Sequence, residues 1–249
     1  MNNTILKLNQ VSFKIPFRNQ PIVDGASFAI QTGDFVVLVG SNGSGKSSLI
    51  KLINRTYPVT TGNIMLQEKS LFKYNNKFFS KEVITMTQNV NDSLFTDMSI
   101  LENMILLEMR SKSFFDFKGH KARALDIKKY LMGFNQKLAE NLSVSVGNLS
   151  GGEKQILVLA MGLRYSPKLI LLDEHTSALD PKTSELIMEK TYQAIFERGI
   201  TCVMTTHNLD YALRFGNRLL AIREGKIIHD YDHRQKQSLT RAELLKNCY

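Results

Sequence analysis

Two short runs hold the residues best suited to chemistry. Gly40-Ser41-Asn42-Gly43-Ser44-Gly45-Lys46-Ser47 fits the spacing G-x-x-x-x-G-K-[ST]. Glycines there let backbone N–H groups turn inward around phosphate oxygens, where a Cβ would intrude. Lys46 has the reach to meet the β- and γ-phosphates of a nucleotide, the Ser47 hydroxyl can ligate Mg2+, and Ser48 is placed to meet the α-phosphate. The second run, "KLILLDEHTSALD" (168–180), ends an apolar stretch on Asp173 and Glu174. An aspartate in that place can hold Mg2+ through its water shell, and the neighbouring carboxylate can orient and deprotonate an attacking water.

Three further features gain meaning beside those two. Gln88 ends "VITMTQ" and His207 ends "TCVMTTH". A strand-terminal histidine by itself is more often a hydrogen-bonded structural group than a catalytic one. Its place after a third sheet strand puts His207 near a γ-phosphate, whereas Gln88 gains meaning only from the set of motifs around it. Ser150-Gly151-Gly152-Glu153 fits the S-x-x-E capping box. A capped helix start still offers N–H groups and a partial positive charge, so the same four residues also read as a second anion site.

The elements that must position these groups are legible as hydrophobic patterns. "FVVLVG" (35–40) is a continuous apolar run followed by the helical pattern "SSLIKLINR", which reads as buried strand, loop and helix. Short apolar strands recur in "VITMTQ", "LILLDE" and "TCVMTTH", separated by helical stretches, as a parallel βαβ sheet requires. Ligands of such sheets lie at the carboxyl ends of the strands, where these acids fall. "VSFKI" and "SFAI" alternate like half-buried antiparallel strands, and "RLLAIREGKIIHDY" reads as a hairpin turning at Glu224-Gly225. Between Gln88 and Ser150 the pattern turns helical, with Ala124, Ile127 and Leu131 on one face, and "TRAELLKNC" closes the chain as a short basic helix. The expected fold is α/β: a P-loop core with a mainly parallel sheet, an N-terminal antiparallel β subdomain and an inserted α-helical subdomain. Residues 1–88 would hold the β subdomain and first part of the core, 89–150 the helical insertion, 151–230 the rest of the core, and 231–249 a basic helical tail.

Composition sets the outer bounds. With 249 residues, 43% of them hydrophobic, the chain suits one core carrying an inserted subdomain. The longest uncharged apolar stretch, Ile156 to Leu163, is far short of the roughly 18 to 20 residues of a membrane span. "MNNTILKLNQ" lacks the features of a secretory signal, and two cysteines, Cys202 and Cys248, suit a reducing compartment. The expected location is the cytosol or the cytosolic face of a membrane. A net charge of +9 points to acidic partners: nucleotide, nucleic acid or anionic lipid. "RSKSFFDFKGHKARALDIKKY" (110–130) sets seven Lys or Arg against Asp116 and Asp126 and reads as a solvated helix face. No aromatic-interleaved basic platform or recognition motif for nucleic acid stands out.

In order, the chain presents a phosphate loop, a glutamine, "LSGGEKQ", "LLDE", "SALD" and a strand-terminal histidine. From about residue 5 to 230 it resembles the nucleotide-binding domain of ATP-binding cassette (ABC) proteins. The resemblance implies that Gln88 touches Mg2+ or water and couples to a partner, and that Ser150, Gly151 and Gly152 form the signature. It makes Asp173 the Mg2+ carboxylate and Glu174 the general base. Asp180 becomes the residue following the carboxylates at the dimer seam, and His207 the γ-phosphate switch. It also implies a head-to-tail dimer in which one copy's signature closes over ATP held by the other. The aromatic residue on which the family stacks adenine aligns with Ile15, and Phe13 and Phe17 lie two residues to either side, with Phe17 the candidate.

A finer resemblance, carried by His175 within "LLDEHTSALDPKT" and by "TTHNLDYALRFGNRLLAIREGKIIHD", is to ATPase subunits of bacterial amino-acid-type uptake systems, a subgroup suspected of serving tryptophan or tyrosine. It implies a separate integral membrane permease and, indirectly, a substrate-binding protein. "NDSLFTDMSILENMILLEM" (91–109), with Phe95 and Met98, would dock that permease or else pack the insertion's own core. The rival reading is a non-transport ATPase of the same family that regulates a nucleic acid or protein partner through ATP-dependent dimerisation.

Overall fold

The computed structural model describes residues 3–17, 20–111 and 120–248. In chain order the elements are β1 (Thr4–Phe13), β2 (Val23–Gln31), β3 (Phe35–Val39), α1 (Lys46–Ile53), β4 (Thr61–Leu66), β5 (Lys69–Ser70), α2 (Asn76–Glu82), β6 (Val83–Met86) and α3 (Ile100–Ser111). They continue with α4 (His120–Met132), α5 (Gln136–Glu140), α6 (Gly151–Leu163), β7 (Leu169–Asp173), α7 (Pro181–Phe196) and β8 (Thr201–Thr205). The last are α8 (Leu209–Arg214), β9 (Arg218–Arg223), β10 (Lys226–Tyr231), α9 (His233–Ser238) and α10 (Arg241–Cys248). Two compact units result. The first takes the described residues up to Thr85, then Pro167–Glu174, then those from Ala194 onward; the second takes Met86–Ser166 and His175–Gln193.

The first unit is built on two sheets. The larger runs β10-β9-β3-β8-β7-β6, with β3 parallel to both β8 and β9, and β7 parallel to β8. Every residue of β3 and β8 is buried. A parallel strand covered on both faces is mostly apolar, which is why β3 reads Phe-Val-Val-Leu-Val and β8 carries Cys-Val-Met between two buried threonines. The register sets Asp173 beside Thr205 at the carboxyl ends of β7 and β8. The hairpin β9–β10 turns at Glu224-Gly225, as its pattern predicts.

The smaller sheet is antiparallel, in the order β2-β1-β4-β5. Leu6 pairs with Ile30 on one side and Leu66 on the other, and the inward residues pack with Leu49, Ile50, Leu52 and Ile53 of α1 in a single core. The helix that follows the phosphate loop is therefore held by apolar contacts along its length.

The second unit is helical. Ile127 and Leu131 of α4 are buried, as their spacing predicts, and the Tyr130 hydroxyl donates to the Ala160 carbonyl at 2.7 Å. Arg164 pairs with Glu108 at 3.1 Å and also with Asp126. Residues Ile156 to Ala160 of α6 are all buried, so the longest uncharged run is a core helix. Among the described residues no helix is long and apolar enough to cross a membrane. Residues 112–119 of the basic stretch lie outside the described residues, while Lys128 and Lys129 are exposed on α4.

Candidate functional site

The phosphate loop leaves β3 and enters α1 through Gly45, whose φ of 110° is a conformation that side chains rarely adopt. A Cβ there would also sit 2.7 Å from the Ile22 carbonyl oxygen. No side chain caps the start of α1, so its first N–H groups keep their hydrogen-bonding capacity for an anion. The Ser44 hydroxyl is buried without a partner in the same loop. The Lys46 ammonium turns back onto the carbonyls of Gly40 (2.8 Å) and Ser41 (3.1 Å). Burial pulls its pKa below the usual lysine range, while the carboxylates of Glu174 and Asp173 pull it the other way.

At the end of β7, Asp173 Oδ1 accepts hydrogen bonds from Ser47 Oγ (3.0 Å) and Thr205 Oγ1 (2.7 Å). The Thr205 hydroxyl in turn accepts the Glu174 N–H at 3.1 Å. One buried hydroxyl on β8 thus touches both acidic residues. Sequence reasoning missed it; the available signal was a threonine at the carboxyl end of a fully buried strand. Glu174 has φ 47°, in the left-handed region, which is uncommon for a residue with a side chain. Such backbone persists where its surroundings hold it. Here the carboxylate ends 3.9 Å from Lys46 Nζ and 3.4 Å from Nδ1 of the largely exposed His207.

Lys46, Ser47, Asp173, Glu174 and His207 are therefore brought together within the first unit, and Ser41, Asn42, Gly43, Ser44, Gly45 and Ser48 belong to the same loop and helix start. Gln88, Ser150, Gly151, Gly152 and Asp180 fall in the second unit. Gln88 is exposed, two residues beyond β6. Ser150 forms the full capping box: Oγ accepts the Glu153 N–H (3.3 Å), and Glu153 Oε2 accepts the Ser150 N–H (2.8 Å). Lys137, 2.6 Å from Glu153, holds that carboxyl below the usual range, with the Ser150 contacts helping.

A Cβ on Gly152 would meet Thr183 Cγ2 at 2.7 Å, so a larger residue there would force the Thr183 side chain to shift. Asp180 accepts the Thr183 N–H at 3.0 Å, and the bonds from Thr183 keep its carboxyl below the usual range. Of the aromatic candidates, Phe13 is buried and stacked on Tyr57 at 4.7 Å, whereas Phe17 is fully exposed. Among the described residues buried His175 has no partner for Nε2, and burial drops its pKa to about 4.

These residues fit a Mg2+-nucleotide. The uncapped helix, the unpaired Ser44 hydroxyl and Lys46 suit phosphate oxygens. Ser47 and Asp173 put two hard oxygen ligands side by side. Among the described residues no group of three or more His, Cys, Asp or Glu could hold a metal, so most of the ion's shell would come from phosphate and water, as Mg2+ commonly arranges.

A phosphate cradle whose lysine and serine reach a strand-end carboxylate pair is the arrangement of a P-loop ATPase. Residues 23–177 match the family model described as ABC transporter. The chain belongs to the ABC transporter family, as an ATP-binding, ATP-hydrolysing subunit. It is 34% identical over 236 residues to a tyrosine transport ATP-binding protein of Clostridioides difficile, covering 94% of each chain. It is 31% identical to the phosphonates import ATP-binding protein PhnC of Lactobacillus acidophilus, covering 81% of this chain and 79% of that protein. Among solved structures it resembles the dimeric, post-hydrolysis cassette MJ0796 bound to ADP and Pi, with TM-score 0.74 and 26% identity over 92% of this chain and 99% of that one. It shares its fold with cbiO1 from Clostridium perfringens at TM-score 0.81 and 21% identity, over 98% and 94% of the two chains.

Proposed function

We propose that this subunit energises uptake of amino acids or similar small solutes. In this reading it works as an ATP-bridged pair docked on a separate membrane permease at the cytosolic face of the inner membrane, and a substrate-binding protein delivers the solute. The observation that carries the uptake reading is the likeness, over 94% of the chain, to a tyrosine transport ATP-binding protein. Phosphonate and methionine import proteins among the relatives support import as the direction.

The residues divide the chemistry among them. Ser41 to Ser48 bind the phosphates, with Lys46 exchanging its two loop carbonyls for phosphate oxygens. Ser47, Asp173 and Gln88 would hold Mg2+, which when bound supplies charge neutralisation to the phosphate oxygens. Glu174 takes the proton of the attacking water as the water oxygen bonds to the γ-phosphorus. The bond from that phosphorus to the β,γ-bridging oxygen breaks, ADP leaves with the bonding pair, and His207 donates a hydrogen bond to the γ-phosphate. Phe17 is exposed and free to lie against adenine.

The exposed helix start at Ser150, Gly151 and Gly152 is the second anion site, and one chain cannot use both sites on one nucleotide if Lys46 and Ser47 already enclose it. A two-fold pair resolves this, because a self-complementary seam lets each signature and Asp180 serve the partner's ATP. The dimeric form of the MJ0796 cassette supports that reading. ATP binding then favours the closed pair and loss of phosphate the open one.

Glu174→Gln keeps the contacts to Lys46 and His207 while removing the base. Hydrolysis should fall by roughly 10²- to 10⁴-fold, and gel filtration with ATP should show a stable dimer. A variant that elutes only as monomer with ATP would reject the homodimer.

A further inference from the structure

The positive charge of this chain has a second concentration, which the sequence reading passed over. Between residues 67 and 82 four lysines, Lys69, Lys73, Lys77 and Lys81, recur at intervals of four, with Glu68 and Glu82 as the acids. Glu82 is engaged by Lys168 at 3.2 Å. Lys69, Lys73 and Lys77 are exposed, and among the described residues Lys73 and Lys77 have no ion-pair partner. Aromatic side chains interleave with them. Leu71 and Phe79 anchor the segment in the core, while Phe72 and Phe78 stay 44% and 38% exposed.

The surface is held rigidly. Tyr74 donates its hydroxyl to the Leu66 carbonyl at 2.6 Å and stacks on Phe78 with ring centroids 5.3 Å apart. Lys69 Nζ lies over the Tyr74 ring at 4.7 Å. Arg55 reaches from beyond α1 to the Tyr74 carbonyl (3.0 Å) and the Asn76 side chain (3.1 Å), adding a further cation.

We propose that the surface of Lys69, Phe72, Lys73, Tyr74, Lys77 and Phe78 rests on the anionic phospholipid headgroups of a membrane. Lysines attract an anionic leaflet at a distance, and apolar rings beside them enter the interface, where aromatic residues are favoured. Nucleic acid fits less well. A base-stacking platform needs open ring faces, and Tyr74 is already stacked on Phe78 and covered by Lys69. Phe72 and Phe78 have no polar atom with which to read a base. The assignment rests on the transporter-subunit reading for its setting: a subunit docked on a permease gains a second, lipid attachment, and stable membrane anchoring generally takes two such signals.

The test uses the full chain and sedimentation with vesicles of phosphatidylcholine alone or with phosphatidylglycerol added. The wild type should bind the anionic vesicles, release in high salt and ignore the neutral ones. Lys73→Glu with Lys77→Glu should weaken anionic binding at least roughly 25-fold, at about fivefold per lysine. Lys128→Glu with Lys129→Glu makes the same change in net charge on another exposed surface and should leave binding unchanged. Phe72→Ser with Phe78→Ser should weaken binding to the anionic vesicles at low salt, because the rings that enter the interface are gone. Equal binding to both vesicle types, equal loss in the two lysine pairs, or capture of an RNA oligonucleotide in preference to anionic vesicles would each overturn the proposal. ATP hydrolysis is measured in solution alongside: normal hydrolysis in the Lys73 and Lys77 variant shows that it is folded. A wild type that binds vesicles without hydrolysing ATP would fault the functional reading and leave the lipid surface standing.

Discussion

Thr205 is the residue whose part in the site is most economical. Its single hydroxyl donates to Asp173 Oδ1 and accepts the Glu174 N–H, so it fixes a candidate metal ligand and a candidate base at once. Thr205→Val keeps the shape and removes both bonds. The expected outcome is a fall in kcat of about tenfold, the order lost with one or two positioning hydrogen bonds, with KM for ATP changed far less; Thr205→Ser should restore most of the rate in steady-state assays.

His175, next in sequence to Glu174, carries a different prediction. Its pKa is lowered to about 4 by burial from an unfolded value of 6.5, so the unfolded chain binds the extra proton between those values. The stability this neutral ring contributes is fully present above pH 6.5 and is lost as pH falls toward 4. The total is about 3 kcal/mol. Urea unfolding at pH 7 and pH 4.5 should show that loss, and His175→Asn should remove most of the difference.

At the level of elements, the meeting of α6 with α7 is the tightest constraint on the signature. A Cβ at Gly152 would press on the Thr183 methyl and displace it. Gly152→Ala should therefore cost roughly 2 kcal/mol as an overpacked contact, about 5 °C in Tm for a chain of this size. It should also depress ATP-dependent dimerisation, which calorimetry and gel filtration would record separately.

The elements also show why some structure was readable and some was not. Strands β3, β7 and β8 are buried on both faces, so their sequences are short, mainly apolar runs that lead into the phosphate loop, the acids and His207. By contrast β4 alternates only over its last four residues after an exposed Thr-Gly start, and β5 has two residues, too few for a period to show. Helices α2 and α9, of seven and six residues, are defined by side-chain caps at Asn75 and Asp232 rather than by an apolar stripe.

On the scale of the whole molecule, the run 91–109 divides its apolar residues between two jobs. Leu94, Ile100 and Met104 are buried in the helical unit, while Phe95 and Met109 remain 52% and 64% exposed. Both expectations for that run therefore find residues to support them. Phe95→Asp should leave ATP hydrolysis of the isolated subunit within about twofold, since exposed substitutions are usually mild, and should cut transport by the permease complex in reconstituted vesicles. Undiminished transport would remove Phe95 from the docking surface.

The sequence by itself determined what local rules govern. The glycine spacing permits a phosphate loop, hydrophobic runs specify strands and helices, and an acid pair at a strand end marks a candidate catalytic edge; none of these needs a distant partner to be recognised. Tertiary structure alone decided what depends on pairing and register. Setting β7 beside β8 placed Asp173 opposite Thr205 and gave one hydroxyl both acidic residues. Folding of residues 67–82 sent Leu71 and Phe79 inward and left Phe72 and Phe78 outward among lysines. Side-chain direction at such places is fixed by long-range packing, which no short window of sequence contains.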